Sequence, residues 1–273
     1  MDLDFIAGRG LVLLGCGKMG TAMLEGWLAN GLDPSEFTIL DPAPSARLEA
    51  LAREGLRFNA PLPTDPAIAV LAVKPQMMGD ALPALKALRG GGTLFVSVAA
   101  GTPIARFEEV FGAGTPIIRA MPNTPAAIKR GITALVGSAA ATPADLDHAE
   151  ALMRAVGRTV RLDDEDQMDA VTAVSGSGPA YVFLLIETLA AAGEAEGLPP
   201  AMALDLARAT VAGAGDLAER SDEAPDRLRV NVTSPGGTTA AALEVLMDEA
   251  AGLQPLMRRA VAAAAARGRA LRG

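Results

Sequence analysis

Cysteine, histidine, tryptophan and tyrosine each occur once in this 273-residue chain, and aromatic side chains make up only 3% of it. A lone Cys16 closes no intrachain disulfide and no cysteine zinc cluster, which excludes a disulfide-stapled scaffold. The lone His148 lies in a capped helical stretch with acidic neighbours and reads as a solvated surface residue, so histidine general acid–base catalysis is not expected. The scarcity of aromatics leaves no platform for stacking bases. A net charge of -8 leaves no basic stripe to displace counterions from phosphates, so no nucleic-acid partner is expected. The opening MDLDFIAGRG has acidic residues and no apolar core of signal-peptide length. The longest apolar run, AYVFLLIETLAAAG, is interrupted by Glu187 and reads as too short to span a bilayer. A cytoplasmic protein with no membrane partner is therefore expected. Without a secretory route the sequon Asn231-Val232-Thr233 is a coincidence. No metal site is expected, because neither a ligand cluster nor a nucleophilic triad is recognisable.

What is present is a well-filled globular composition, 50% apolar and 21% charged, long enough for two domains. The first part alternates short β-rich runs with helical stretches, the signature of an α/β, doubly wound, Rossmann-like parallel sheet. The pattern predicts strands over 11–14, 37–40, 68–73, 93–98, 116–120, 133–136 and 159–162, with helices starting near Lys18, Ser45, Met77, Pro103 and Pro143. After Asp164 the β signal disappears. Alanine- and leucine-rich helices are predicted over 179–196, 199–219, 226–230, 235–249 and 253–271. The domains are thus expected to be 1–163, binding a dinucleotide, and 164–273, all-α, with the break near 162–166. Apolar helical faces this extensive are hard to bury within one subunit and favour a helical interface with a second chain. Gly193, Gly213 and Gly215, inside predicted helices, read as sites of close helix crossing.

The segment LVLLGCGKMGTAM places Gly15, Gly17 and Gly20 directly after a strand and at the opening of a helix. In that context a G-x-G-x-x-G pattern reads as a pyrophosphate cradle. Asp41 ends the second strand, where an acidic residue usually receives the adenosine ribose hydroxyl and repels a 2′-phosphate; that points to NAD. Two alternatives stay open there. Asp41 can be a turn residue before Pro42, and Ser45 or Arg47 can hold a phosphate if Asp41 turns away. The strand AIAVLAVKP ends at Lys74-Pro75, where Lys74 either faces the nicotinamide as a candidate catalytic residue or caps the sheet.

Near the far end, VTSPGGTT carries a second anion signature. Ser234 is expected to cap a helix beginning at Pro235, leaving the amides of Gly236, Gly237 and Thr238 free. Free amides with a helix dipole behind them suit a carboxylate or phosphate, and Thr238 and Thr239 add hydroxyls. Asn231 opens the same motif.

Taken in order, GCGKMG, AVKP, SVAAG, RAMPNTP, DAVTAVSGSGPAYVF and NVTSPGGTT closely resemble pyrroline-5-carboxylate reductase over nearly the whole chain. The last three motifs are the specific ones. The resemblance implies NADPH- or NADH-dependent reduction of 1-pyrroline-5-carboxylate to L-proline, the final step of proline biosynthesis. It implies that Leu14, Gly15, Cys16, Gly17, Lys18 and Met19, with Gly20 behind them, hold the pyrophosphate. Ala72, Lys74, Pro75 and Ala100 then line the nicotinamide side, and Asn59 lies near the adenosine ribose phosphate. Asn231, Ser234, Gly236, Gly237, Thr238 and Thr239 take the substrate. It also implies an intertwined homodimer built from the C-terminal helices, often assembled into rings of dimers, with helices of the partner completing the active site. Asp41 departs from the small polar residues many relatives carry there.

The chemistry suits the residues independently of the family. Hydride reduction of a cyclic imine asks for orientation, carboxylate binding and a proton or hydrogen bond at nitrogen, with no covalent nucleophile. Thr239 is the candidate for the hydroxyl at the ring nitrogen. A β-hydroxyacid or 6-phosphogluconate-type dehydrogenase would show a catalytic lysine in its helical half, whereas the last lysine here is Lys129. A non-enzymatic dinucleotide sensor would not need the second anion motif.

Overall fold

The structure, a computed structural model, describes residues 3–271. In chain order its main elements are β1 (Leu11–Leu14), α1 (Lys18–Ala29), β2 (Phe37–Leu40), α2 (Ala46–Arg53), β3 (Arg57–Phe58), β4 (Ile68–Leu71), α3 (Met78–Ala81), β5 (Leu94–Ser97), α4 (Ile104–Phe111), β6 (Ile117–Met121), β7 (Gly131–Gly137), α5 (Pro143–Met153), β8 (Gly157–Arg161) and α6 (Met168–Val171). The helices α7 (Gly178–Ala195), α8 (Pro200–Arg220), α9 (Pro225–Asn231), α10 (Thr238–Leu246) and α11 (Leu253–Leu271) follow.

Strands β1 (LVLL) and β4 (IAVL) are buried at every residue, as parallel strands covered on both faces must be. The sheet order is β3-β2-β1-β4-β5-β6-β7-β8. The pairs from β3 through β6 are parallel, β6 and β7 are antiparallel, and β7 and β8 are parallel to each other. The wholly parallel sheet expected from the strand–helix alternation is therefore mixed. Only a 3-10 turn, Thr124–Ile128, joins β6 to β7, and a parallel return needs a longer crossover. The chain winds outward in both directions from β1, so the carboxyl ends of β1 and β4 flank the switch point where such sheets bind ligands.

Alternate residues of the strands feed two cores. Leu11, Leu13, Phe37 and Ile39 pack with Trp27, Leu152 and Met153 on one face, and the Trp27 indole N–H donates to the Leu152 carbonyl at 2.9 Å. Val12, Leu71, Phe95, Phe107 and Phe111 pack with Met168 on the other. The helix expected from Met77 breaks up into α3 and a 3-10 stretch, Leu82–Leu88. Pro83 lacks the N–H and crowds the preceding turn, which ends the α-helix. The two-residue strand β3 carries too little pattern to be foreseen.

The chain divides into two compact units, one reaching to Gly176 and joined by the end of the chain from Ala265, the other Ser177–Ala264. The β signal ends near 162–166, as expected, but the compact division comes later. Met168 and Ala173 are wholly buried, and Met168 belongs to a sheet core, so 165–176 folds with the sheet. This segment is helical from Glu165 onward and passes through a π-helical turn, Thr172–Gly176, into α7. The run Glu165–Ala195 is consequently long and apolar enough, by length and composition, to cross a membrane, contrary to the reading of the apolar stretch as too short. Helix continuity through VSGSGPA supplies the extra length.

In the second unit α7 packs on α8, with the Gly193 position 3.4 Å from Ala203 Cβ, a close crossing as expected; nothing approaches Gly213 or Gly215 within 4 Å. Only Ala190 of α7 is buried, while Val182, Phe183, Leu184, Leu185 and Leu189 lie exposed.

Candidate functional site

One candidate site is a loop shaped by glycines at the carboxyl end of β1. Gly15 adopts φ +90°, and its N–H donates to the Leu40 carbonyl at 2.8 Å. A side chain there would meet Val73 Cγ1 at 2.8 Å as well as strain the backbone. At Gly20 an added Cβ would lie 2.4 Å from the Gly15 carbonyl oxygen, so only glycine lets α1 start against the loop. Gly17, the N-cap of α1, is different: nothing lies within 4 Å of where its Cβ would be. Two crowded glycines and one open one give the shape of a backbone cradle facing a ligand, and the residues present fit a dinucleotide pyrophosphate.

Asp41 sits at the end of β2 beside this loop. Its carboxylate accepts the Cys16 backbone N–H at 2.6 Å and the Ala43 N–H at 2.8 Å. Asn59 clamps the Asp41 backbone from both sides, its Oδ1 accepting the Asp41 N–H at 3.0 Å and its Nδ2 donating to the Asp41 carbonyl at 2.9 Å. Ser45 caps α2 by accepting the Leu48 N–H at 3.3 Å, and Arg47 is engaged with both carboxylate oxygens of Glu25, at 2.6 and 3.1 Å. Cys16 is half-buried within the loop, and burial pushes its thiol up from the ordinary cysteine range. It stays protonated at neutral pH and acts as packing.

Along the same edge Ala72 donates its N–H to the Leu14 carbonyl at 2.8 Å, and exposed Lys74 opens the 3-10 turn Pro75–Met77. A cavity of about 480 Å³ opens here, lined in part by Pro75, Gln76, Ala100, Gly101, Thr102 and Arg106. The first unit also holds a pair the sequence did not reveal. Arg119 on β6, 1% exposed, donates from Nη1 to Glu165 Oε1 at 2.7 Å, and that oxygen also accepts the Ile104 N–H at the start of α4. Asn123 was likewise not singled out: its Oδ1 accepts the Ile132 N–H at 3.0 Å, and its Nδ2 donates to the Ser175 carbonyl at 3.4 Å. The residues from Leu14 to Gly20, with Asp41, Asn59, Ala72, Lys74, Pro75 and Ala100, thus gather on one edge of the sheet in the first unit. His148, expected to be solvated, is instead half-buried and stacks on Phe5 with ring centroids 4.1 Å apart.

A second candidate site belongs to the helical unit. The helix there starts at Thr238, not at Pro235, and Ser234 makes no side-chain cap. Ser234, Pro235, Gly236 and Gly237 instead form a tight turn in which the Gly237 N–H donates to the Ser234 carbonyl at 3.0 Å and Gly236 takes φ +67°. That positive φ cannot belong to a helix, so the turn displaces the helix start by three residues and uses the Gly237 amide expected to be free. Gly237 is the N-cap, and Thr238, Thr239 and Ala240 open the first turn of α10, where backbone amides have no intrahelical acceptor. The two threonine hydroxyls stand at the same end. Asn231 Nδ2 donates to Glu223 Oε2 at 2.6 Å, fixing the end of α9.

Comparison with known proteins finds two matched regions. Residues 165–271 match the family described as pyrroline-5-carboxylate reductase dimerisation, and residues 10–101 match the family described as NADP oxidoreductase, coenzyme F420-dependent. The chain is 39% identical to the pyrroline-5-carboxylate reductase of Pseudomonas aeruginosa, covering 94% of both. It is 38% identical to that of Pisum sativum, covering 96% of this chain and 95% of the relative. Among solved structures, the Coxiella burnetii pyrroline-5-carboxylate reductase superposes with a TM-score of 0.90 at 33% identity, covering 97% of this chain and 99% of that one. The Plasmodium falciparum pyrroline carboxylate reductase, solved with NADP bound, gives 0.83 at 28% identity over 97% and 99%. The chain belongs to the pyrroline-5-carboxylate reductase family.

Proposed function

We propose that this chain reduces 1-pyrroline-5-carboxylate to L-proline with NADPH or NADH, the last step of proline biosynthesis. The observation that carries the reading is the presence, on one chain, of a dinucleotide edge and a second helix start whose amides and hydroxyls suit a carboxylate. A bound nicotinamide cofactor supplies the hydride, which relieves the protein of any covalent or metal chemistry. The loop from Leu14 to Gly20 binds the pyrophosphate through its open amides, with Asp41 and Asn59 at the adenosine ribose. Ala72, Pro75 and Ala100 shape the nicotinamide side, with Lys74 as a candidate catalytic charge beside it. Asn231, Ser234, Gly236 and Gly237 shape the turn that receives the substrate, and the amides at Thr238 and Thr239 hold its carboxylate. The Thr239 hydroxyl hydrogen-bonds the ring nitrogen and orients it for the proton that the reduction adds there.

The exposed apolar side chains of α7 support burial against a second copy, in a homodimer through the C-terminal helices that assembles further into a ring of dimers. The same burial is what we assign to the run Glu165–Ala195 in place of a bilayer, in a soluble cytoplasmic enzyme. The test mixes purified protein with NADH or NADPH and follows the reduced nicotinamide absorbance. Loss that depends on added 1-pyrroline-5-carboxylate and yields proline supports the reading. No substrate-dependent loss, in protein that still binds the dinucleotide, overturns it.

A further inference from the structure

We infer that Asp41 makes this enzyme select cofactors without a 2′-phosphate, so that NADH is preferred over NADPH. The inference rests on the dinucleotide reading above and deepens it. Three observations carry it.

The first is that the Asp41 carboxylate is pinned. Its two oxygens span the amides of Cys16 and Ala43, at 2.6 and 2.8 Å, while Asn59 holds the Asp41 backbone through both its N–H and its carbonyl. Turning the carboxylate away to admit a phosphate would strip acceptors from two backbone amides. The second is what the carboxylate still offers. Each oxygen retains acceptor capacity after one amide bond, so a ribose hydroxyl can donate to it. A 2′-phosphate near neutral pH is chiefly an acceptor and carries the same sign of charge, and like charges in a partly desolvated site repel.

The third observation is how the neighbouring cations are engaged. A phosphate-tolerant site needs a cation at this corner to take the charge. Arg47 is engaged with both carboxylate oxygens of Glu25, and Ser45, whose Oγ accepts the Leu48 N–H, brings a hydroxyl but no charge to offset a phosphate. Arg57 donates to the Thr38 hydroxyl at 3.0 Å, three residues back from Asp41. Lys18 opens α1, the end that receives the pyrophosphate common to both cofactors, so it attracts both alike.

The test is calorimetric titration of the whole protein with ADP-ribose and with 2′-phospho-ADP-ribose, fragments that lack the nicotinamide and isolate the adenosine end from catalysis. The wild-type protein should bind the unphosphorylated fragment about tenfold more tightly or better. Asp41→Ser should bring the two within about threefold of each other, and Asp41→Asn, which keeps one oxygen acceptor for the Cys16 amide while giving up the one for Ala43, should do the same. Arg47→Ala should leave the ratio unchanged. The inference is overturned if the wild-type protein binds the phosphorylated fragment as well or better, if both Asp41 variants keep the wild-type ratio, or if Arg47→Ala selectively weakens the phosphorylated fragment. If neither fragment binds, the dinucleotide reading itself fails and the inference falls with it.

Discussion

Arg119 and Glu165 form an ion pair beneath the sheet edge, Nη1 to Oε1 at 2.7 Å, with the arginine side chain 1% exposed and the glutamate 25%. One carboxylate oxygen thereby joins β6 to the start of α4 and to the helical run that follows β8. Among the described residues the buried Arg119 Nη2 has no hydrogen-bond partner, and Glu165 is the carboxylate paired with the guanidinium. Glu165→Gln removes the compensating charge, and stranding a buried charge costs roughly 3–5 kcal/mol, towards the lower end here because Glu165 is partly solvated. The melting temperature should fall by roughly 6 °C or more, measured by calorimetry. An unchanged melting temperature would show that water compensates Arg119.

The glycine loop offers a contrast between crowding and open space. Gly20→Ala brings a methyl against the Gly15 carbonyl oxygen, 2.4 Å away, and should damage both stability and cofactor binding. Gly17→Ala meets nothing within 4 Å, so its melting temperature should stay at the wild-type value. It should nevertheless raise the cofactor KM about tenfold, because the methyl occupies the space kept for the pyrophosphate. A Gly17→Ala enzyme with normal cofactor KM would mean the phosphates lie elsewhere.

Much of this was legible in the sequence because it was written in local pattern. The strand LVLL, the glycines after it and the capping pair Thr142-Pro143 each specify their structure over a few residues. The Thr142 hydroxyl and Asp145 form a reciprocal capping box. What was not legible depends on distant partners or on competition between signals. The predicted helix starts at 179, yet Asn123, some fifty positions earlier, helps to hold Ser175 within a helical run that reaches back to Glu165. Ser234-Pro235 reads as a helix start, but Gly236 at φ +67° turns the chain first. The partner of the Asp41 carboxylate is the backbone N–H of Cys16, and no residue type announces a backbone amide.

Phe183 and Leu184 of α7 are 57% and 58% exposed in the single chain. Fully burying one such side chain is worth about 1.5–3 kcal/mol, so an interface built on several of them cannot absorb charges at its centre. The double variant Phe183→Glu, Leu184→Glu should sediment as a monomer at concentrations where the parent is oligomeric. Retention of the parent's sedimentation coefficient would place the interface on other helices.

Thr239→Val keeps the shape of the side chain and removes its hydroxyl. It should lower kcat and kcat/KM together by roughly one to two powers of ten, the signature of a hydrogen bond that strengthens in the transition state. Thr239→Ser should recover most of the rate, since it keeps the oxygen. A valine variant with normal kcat would leave water, or a substrate that arrives protonated, as the proton source.

The central claim is that the turn before α10 receives the substrate's carboxylate while the glycine loop serves the cofactor. It is tested most directly by the two KM values of Gly237→Val. Gly237 is the N-cap of α10, with its Cβ position 3.1 Å from the Ser234 carbonyl oxygen, so a branched side chain there crowds the approach to the amides of Thr238 and Thr239. Losing one charge-assisted hydrogen bond is worth roughly 1.5–3 kcal/mol. The KM for 1-pyrroline-5-carboxylate should therefore rise about tenfold or more, while that for the reduced cofactor stays within about twofold. A substrate KM within about twofold of the parent's would contradict the assignment of this turn to the carboxylate.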